Sequence, residues 1–342
     1  MKRVTIVDVA AAAGVSRATV SLVLRDEPRI SAETRERVHR AIDEIGYVYD
    51  RRAAIMRTQR SMTIGMVVTD VRNPYFAELA MALEVALDGH GYSLLQAYSH
   101  DEHRREDRLL GVMVEHRVDG VILLPAKDTS AADLRTRLGA GGMPHLLIAR
   151  RIRAYESDYI GADNVRAGKL LGEHLATQGY ERVALVGGPT GSTARMDRQR
   201  GLRAGLKRHG VTLDPKMSFP GEANREGGVA ALQALLEHGP LPDAIACYSD
   251  SVASGVVSGL RAAGLEPGRD VALGSFDDTP EAAIQHPGLT SVSTHPDRVG
   301  TDGAKLLLER IATPELPPRT VLLDPHLSVR ASSTMLERRR AA

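Results

Sequence analysis

The sequence predicts an α/β protein in which a small all-α domain precedes two doubly wound parallel α/β lobes. The first 49 residues hold short helical patterns with polar caps. From Thr63 onward, short apolar runs alternate with amphipathic helices, and this rhythm starts again at Ala167. The predicted parts are a helical domain over 1–49, a linker over 50–60 and a core over 61–342, with lobe 1 at about 61–163 and 292–323 and lobe 2 at about 164–291 and 324–342.

The stretch TIVDVAAAAGVSRATVSLVL, residues 5–24, contains two short helices with a turn between them. Thr5 with Asp8 three residues later forms a capping box, Gly14 permits a sharp turn, and Ser16 can cap the second helix. The apolar positions that let the helices pack are Val9, Ala13, Val15, Val20 and Val23. Such a pair is either a helix-turn-helix or an ordinary αα corner, and the spacing alone does not separate the two.

A third helix favours the helix-turn-helix. Ser31 caps the helix AETRERVHRAIDEIG, whose Val38, Ile42 and Ile45 lie on one face. Three such helices form a bundle whose small size suits the presentation of a surface. Residues 1–60 contain twelve Lys and Arg against eight Asp and Glu, a balance of +4, while the remainder contains 32 against 35, a balance of −3. A basic helical domain joined to a mildly acidic core fits nucleic acid at one end and another ligand at the other.

The segment DVAAAAGVSRATVSLVLRDEPRISAETRERVHRAIDEIGY resembles the DNA-binding domain of the LacI/GalR family of bacterial transcription regulators. The resemblance implies a sequence-specific transcriptional regulator, a repressor, that binds double-stranded operator DNA as a homodimer. Arg17 can fork onto guanine, whereas Ala18 and Leu22 can offer only apolar contacts to bases. The predicted DNA-binding residues are Thr5, Ser16, Arg17, Ala18, Thr19, Ser21, Leu22, Arg25, Arg51 and Met56.

The linker segment DRRAAIMRT, residues 50–58, is shorter than the roughly twelve to fifteen residues that an isolated helix needs in water. In the resembled family this stretch is a hinge helix, which orders on operator DNA beside its two-fold mate and inserts an apolar wedge into the minor groove. The wedge is a leucine in most members and matches Met56 here, and methionine can also unstack a base step. Arg52 stands where a small or aliphatic residue is usual. A flexible linker is the alternative interpretation.

The core contains apolar runs of four to eight residues without alternation, as in strands buried on both faces of a parallel sheet. The resemblance continues here and implies a core of periplasmic-binding-protein type with a small-molecule effector between the lobes. Such ligands bind beyond the carboxyl ends of strands, where carboxylates and guanidinium groups suit the hydroxyls of a sugar. The predicted effector-binding residues are Asp70, Asn73, Tyr75, Phe76, Arg150, Asp163, Arg195, Arg198, Ser249, Asp250 and Asp277.

The resemblance matches Tyr75, Phe76, Arg198 and Asp277 to effector-contacting positions and Asp163 to a position where the chain crosses between lobes. An aromatic residue that is common on the opposite wall is replaced here by Ala223. Each candidate could instead be a structural helix cap, because Asp and Ser are favoured there. The arginines at 150, 151, 195 and 198 suggest an acidic or phosphorylated sugar, with surface charge as the alternative.

Other patterns argue against an enzyme, a metal site or a cofactor. Adjacent Asp277 and Asp278 at a strand end should point to opposite sides, which serves a two-carboxylate mechanism poorly. The loop GGPTGS lacks the Lys-Ser/Thr of a phosphate loop, His100 and His103 have no third ligand nearby, and no HExxH, GxSxG or CxxC motif occurs. The alternative hypotheses are an enzyme and a pure sugar-binding module. The basic helical domain argues against the sugar-binding module.

The cellular setting is predicted from cysteine content and hydropathy. The chain has one cysteine in 342 residues and no apolar run near twenty residues, so we expect a cytoplasmic protein without a membrane span. Cys247 lies in the apolar run DAIACYSD and is expected to be a buried structural thiol. The segment after the last predicted strand, TMLERRRAA, has no leucine heptad, which favours a dimer over a tetramer.

Overall fold

The computed structural model describes residues 4–24, 27–47, 60–139 and 141–334. The chain divides into two compact units, Met1–Ser61 and Met62–Ala342. The first unit has a hydrophobic core of its own, since its described buried apolar side chains form one cluster.

The first unit is a helix-turn-helix followed by a third helix: α1 (Ile6–Ala13), α2 (Arg17–Val23) and α3 (Ala32–Ile45). The predicted caps are confirmed. The Thr5 amide donates to the Asp8 carboxylate at 2.8 Å, and the hydroxyls of Ser16 and Ser31 accept from backbone amides at 3.0 and 3.3 Å. Gly14 adopts a φ of +62° at the end of α1, a conformation that suits glycine. The two helices therefore meet at a bend of 98°.

Lobe 1 of the second unit is built on six parallel strands. They are β1 (Thr63–Val68), β2 (Ser93–Tyr98), β3 (Gly120–Leu123), β4 (His145–Ile148), β5 (Asp158–Ala162) and β11 (Thr320–Leu323). Their order across the sheet is β11-β5-β4-β3-β1-β2. The central strands are buried throughout, as their continuous apolar sequence predicted.

Lobe 2 contains a second sheet of six strands: β6 (Val183–Val186), β7 (Ser218–Phe219), β8 (Ala244–Cys247), β9 (Ala272–Asp277), β10 (Thr290–Ser293) and β12 (His326–Ser328). Their order is β12-β10-β9-β8-β6-β7, and only β12 runs antiparallel to its neighbour. Strand β10 belongs entirely to this sheet, whereas the predicted lobe boundary at 291/292 would divide it. The crossing therefore follows Ser293, since the hydrogen-bonded ladder with β9 continues to that residue.

Helices cover both faces of the two sheets, as in a doubly wound fold. They are α4 (Pro74–Asp88), α5 (His103–Glu115), α6 (Ala131–Leu134), α7 (Asn164–Thr177), α8 (Thr193–Lys207), α9 (Arg225–His238), α10 (Asp250–Ala262), α11 (Pro280–Ile284) and α12 (Pro296–Ala312). A short π-helix spans Arg135–Gly139, and 3-10 turns span Pro215–Met217 and Ala331–Ser333. Among the residues the structure describes, no single helix is long and apolar enough to span a membrane, although α1 and α2 together pass on length and composition.

Helices α7 and α8 pack backbone against backbone along a line of glycines. A Cβ on Gly201 would lie 1.9 Å from the carbonyl oxygen of Val165, and a Cβ on Gly168 would lie 2.1 Å from that of Arg198. No other residue type fits at these distances. This close packing fixes Arg198 of α8 beside Asn164 at the start of α7.

Candidate effector cleft and DNA-reading helix

Helix α2 presents the surface that was predicted to read DNA. Arg17 and Ala18 at its start are exposed, and Ser21 and Leu22 one turn later are half-buried. Thr19 is also half-buried, and its hydroxyl lies 2.9 Å from that of Ser16, whose oxygen caps the helix. The exposed residues thus lie at the first turn of α2, the part of a recognition helix that approaches base edges. The predicted positions Arg25, Arg51 and Met56 lie outside the described residues.

A cavity of ≈ 60 Å³ lies between the two lobes, at the carboxyl ends of strands from both sheets. Eight of the predicted effector residues line it: Asp70, Asn73, Tyr75, Phe76, Arg150, Arg198, Ser249 and Asp277. Two wider spaces of ≈ 310 and ≈ 610 Å³ share Asp70 and Ala223 with this inner cavity. The cleft therefore narrows from an open mouth to a buried polar centre.

Arg198 holds a fixed position in the lobe 2 wall. Its Nε donates to Asn164 Oδ1 at 2.8 Å, one Nη donates to the carbonyl oxygen of Tyr248, and the other lies 3.5 Å from Asp277 Oδ1. The guanidinium carbon also lies 4.9 Å from the ring centre of Tyr248 and 4.7 Å from that of Phe276. Hydrogen bonds on three nitrogens and two aromatic faces leave this cation little freedom to turn.

Asp277 ends strand β9 as a buried carboxyl only 4% exposed. Burial raises its pKa to about 7, against the lowering effect of Arg198. Its φ of +108° is rarely adopted by a residue with a side chain, and such outliers concentrate at functional sites. The neighbouring Asp278 instead accepts from the Ser328 hydroxyl at 2.6 Å and pairs with Arg330 at 2.7 Å. The two carboxylates thus have different partners, as their adjacent positions predicted.

The lobe 1 wall combines aromatic and polar groups. The rings of Tyr75 and Phe76 are perpendicular, with centres 5.1 Å apart, and both residues are buried. Asn73 caps α4 by accepting from the Tyr75 amide at 3.1 Å. Asp70 pairs with Arg72 at 2.7 Å, and the hydrogen bond from that guanidinium lowers the pKa of Asp70. The carboxylate at the cleft mouth is therefore already neutralised by its neighbour.

Arg150 follows β4 and is 5% exposed. One Nη donates to Asp101 Oδ1 at 2.7 Å and to the carbonyl oxygen of Pro125 at 2.8 Å. Its Nε is buried and has no hydrogen-bond acceptor among the residues that the structure describes. Burial lowers the pKa of Arg150, but Tyr248 and Asp101 more than offset that effect, so the side chain stays cationic.

Comparison with known proteins identifies both parts of the chain. The family described as "Bacterial regulatory proteins, lacI family" matches residues 5–50, and the "Periplasmic binding protein-like domain" matches residues 173–333. The chain is 32% identical over 335 residues to the maltose regulon regulatory protein MalI of Escherichia coli K12, covering 95% of this chain and 98% of that protein. It belongs to the LacI family.

Solved structures of LacI-family proteins share the whole architecture. A complex of the transcriptional regulator CelR with cellobiose has 32% sequence identity and a TM-score of 0.72, covering 96% of this chain and 100% of that one. The lac repressor dimer bound to operator and the anti-inducer ONPF has 25% identity and a TM-score of 0.83, covering 97% of this chain and 99% of that one. The predicted fold class, a helix-turn-helix followed by a two-lobe core, is confirmed.

Three predicted effector residues of this LacI-family chain do not line the inner cavity. Asp163 caps α7 by accepting from the Arg166 amide at 3.0 Å. Arg195 donates to the carbonyl oxygen of Gly187 and to the Ser218 hydroxyl, both at 2.9 Å. Neither Asp163 nor Arg195 therefore faces the inner cavity. From the same two helices, the cavity is lined by Asn164, which was not predicted, and by Arg198, which was.

Asp250 is the third correction. The hydroxyls of Ser275 and Ser291 donate to one of its oxygens at 2.5 and 2.7 Å, and the Thr279 amide donates to the other at 2.8 Å. Burial is the largest effect on its pKa and raises it. This carboxyl ties β9, β10 and the loop before α11 to the start of α10, and it borders the wider ≈ 310 Å³ space instead of the inner cavity.

Sequence reasoning missed several residues that line the inner cavity: Thr69, Asn164, Tyr248 and Thr294. Each directly follows a strand or begins the next element, so the rule that selected the other candidates also applies to them. Asn164 follows the charged Asp163, which is the stronger candidate by sequence, and Tyr248 continues the apolar run of β8. Ser249 both lines the cavity and caps α10, accepting from the Val252 amide at 3.3 Å. Cys247 is fully buried, and burial raises its pKa, as expected of a structural thiol.

Proposed function

We propose that this LacI-family regulator is a repressor whose operator affinity is set by a sugar-like effector bound in the inner cavity. The observation that carries the proposal is the buried Arg198–Asp277 pair, which meets Arg150 and Tyr75 of the other lobe around one cavity. Carboxylate and guanidinium groups facing each other across a cleft offer acceptors and donors to adjacent hydroxyls. The CelR relative was solved with cellobiose, which supports a sugar for this chain.

We expect the two lobes to move apart when an effector enters the inner cavity. The inner cavity has a volume of ≈ 60 Å³, whereas small-molecule sites usually have about 300–1,000 Å³. Contacts between the lobes oppose the opening: the Arg151 amide donates to Thr193 Oγ1 at 3.0 Å, whose hydroxyl donates back to the Arg151 carbonyl at 3.2 Å. Effector binding therefore changes the spacing of the lobes.

The change in spacing supplies the switch. A homodimer places two copies of α2 in successive major grooves, and the segment 50–60 connects each copy to its core. If lobe movement separates the two hinge segments, operator affinity falls; if it brings them together, the effector acts as a corepressor. A hundredfold change needs about 2.7 kcal/mol of coupling, which one or two hydrogen bonds that differ between the states can provide.

Thr5, Ser16, Arg17, Ala18, Thr19, Ser21 and Leu22 belong to this proposal as DNA-contacting residues, with Arg17 reading guanine. The action on operator DNA places the protein in the cytoplasm. An enzyme on the same core is the rival. The Arg198 guanidinium is held in place by Asn164 and Tyr248, and the two adjacent carboxylates have separate partners. The geometry thus favours binding over catalysis.

Operator titration with and without ligand tests the proposal. Arg198→Met removes the central cation, and Arg200→Met is the matched control, because Arg200 is 66% exposed on the same helix and pairs with Asp197. We expect the Arg198 variant to bind operator without ligand as the wild type does, but to lose the response to every sugar that shifts wild-type affinity. The Arg200 variant should respond normally. A normal response from the Arg198 variant would remove the inner cavity from the mechanism.

A further inference from the structure

We infer that the effector carries an anionic group, a carboxylate or a phosphate, which accepts a hydrogen bond from Nε of Arg150. This inference rests on the proposed function and specifies the chemical class of its ligand. The observation behind it is a cationic side chain that is 5% exposed, lines the inner cavity and keeps one buried donor without an acceptor among the described residues.

The two arginines of the cavity differ in how far the protein satisfies them. Arg198 has a hydrogen-bond partner for each of its three nitrogens and lies between two aromatic rings. Arg150 donates through one Nη to Asp101 and to Pro125, and a hydrogen bond with the Tyr248 side chain adds to the rise of its pKa, so Nε is the donor left without an acceptor among the described residues. A buried donor left unpaired costs about 1–3 kcal/mol, and more when it belongs to a charged group. An acceptor on the ligand recovers this cost.

The carboxylates of the cleft leave a positive balance at its centre. Asp70 is neutralised by Arg72, and Asp101 shares its charge between Arg150 and the amide of Lys127, which donates to the same oxygen at 2.9 Å. Asp277 faces Arg198, and burial raises the pKa of Asp277 to about 7, so near neutral pH it is only partly ionised. The guanidinium groups of Arg150 and Arg198 therefore carry two positive charges, whereas Asp101 and Asp277 together carry less than two negative charges.

The position of Arg150 also orients the ligand. The open mouth of the cleft is lined by Asp101, Glu102, Asp128 and Glu222 together with Arg72 and Lys127. Carboxylates at the mouth suit hydroxyl groups and repel an anion, whereas the inner end offers Arg150. An acidic sugar therefore enters with its anionic group toward Arg150 and leaves hydroxyl groups toward the carboxylates of the mouth.

Matched pairs of probes test the inference on the full-length protein. Calorimetric titration with D-glucose, D-glucuronate and D-glucose 6-phosphate, and with D-galactose and D-galacturonate, separates the carboxylate from the phosphate. We expect the wild type to prefer at least one acid over its neutral partner by on the order of 10- to 100-fold, the range of one charge-assisted hydrogen bond. The Arg150→Gln variant should reduce this preference to within about threefold.

Two further variants keep the test decisive. Arg153→Gln makes the same change at an exposed arginine outside the inner cavity and should retain the full acid preference. Operator affinity in the absence of ligand reports whether each variant folds. If Arg150→Gln does not fold, Arg150→Lys replaces it in the test. Because this variant keeps the positive charge, it should still prefer the acid.

Several results would overturn the inference: neutral sugars that bind as tightly as their acids, an acid preference unchanged by Arg150→Gln, or no binding of any acidic probe at any soluble concentration. A neutral sugar that releases operator would overturn the inference and leave the proposed function intact. Acids that bind through Arg150 without changing operator affinity would support the inference and refute the proposed function.

Discussion

Replacing Asp277 with asparagine removes one buried charge while keeping the shape of the side chain. Asparagine also tolerates positive φ better than alanine does, so it suits a position where φ is +108°. The substitution leaves the Arg198 guanidinium with its bonds to Asn164 and Tyr248. The main consequence is therefore the loss of a titrating group, and this can be measured as a dependence of stability on pH.

The sign follows from the two pKa values of the carboxyl. Burial raises the pKa from 3.8 to about 7 in the folded protein, so the folded state binds the proton more tightly than the unfolded chain does. The stabilising contribution is fully present below pH 3.8 and is lost as the pH rises to about 7. The slope is at most about 1.4 kcal/mol per pH unit, so the wild type should lose about 2–3 kcal/mol between pH 5 and 7 that Asp277→Asn does not lose.

Urea unfolding of both proteins at several pH values measures this difference. The other buried groups that titrate, such as Glu106, His145 and His174, are common to both proteins and cancel in the comparison. The variant should gain stability relative to the wild type as pH rises from 5 to 7 and the gap should level off above that. A gap that stays constant over this range would refute the assignment of a raised pKa to Asp277.

Three further predictions concern other parts of the chain. Arg17→Ala should cost about 1–3 kcal/mol of operator affinity and relax preference at one base pair; operator selection that recovers the same site at the same affinity would make Arg17 a phosphate contact. Gly201→Ala should destabilise the protein by about 3 kcal/mol, because its Cβ would meet the Val165 carbonyl oxygen at 1.9 Å, whereas Gly141→Ala, with open space around it, should unfold at the wild-type urea concentration. Cys247 should react with a thiol reagent only as the protein unfolds, and rapid labelling of the native protein would contradict its burial.

The sequence by itself determined the elements and the edge of each sheet where a ligand binds. Helix ends are local events, so Thr5, Ser16 and Ser31 could be recognised as caps from their neighbours alone. Strands buried on both faces need continuous apolar runs, and these runs located both sheets. Residues that follow such strands face one edge of the sheet, which is why Tyr75 and Asp277 were expected at the cleft.

Only the tertiary structure decided which of these polar residues face the ligand. Asp250 lies just beyond strand β8 and Asp277 ends strand β9. Asp250 nevertheless accepts hydrogen bonds from Ser275 and Ser291, which lie 25 and 41 residues further along the chain. Arg195 and Arg198 lie less than one helical turn apart and point to different partners, because α8 is fixed by glycine contacts with α7. The direction of a side chain depends on neighbours that are remote in sequence, and the local sequence pattern carries no information about those neighbours.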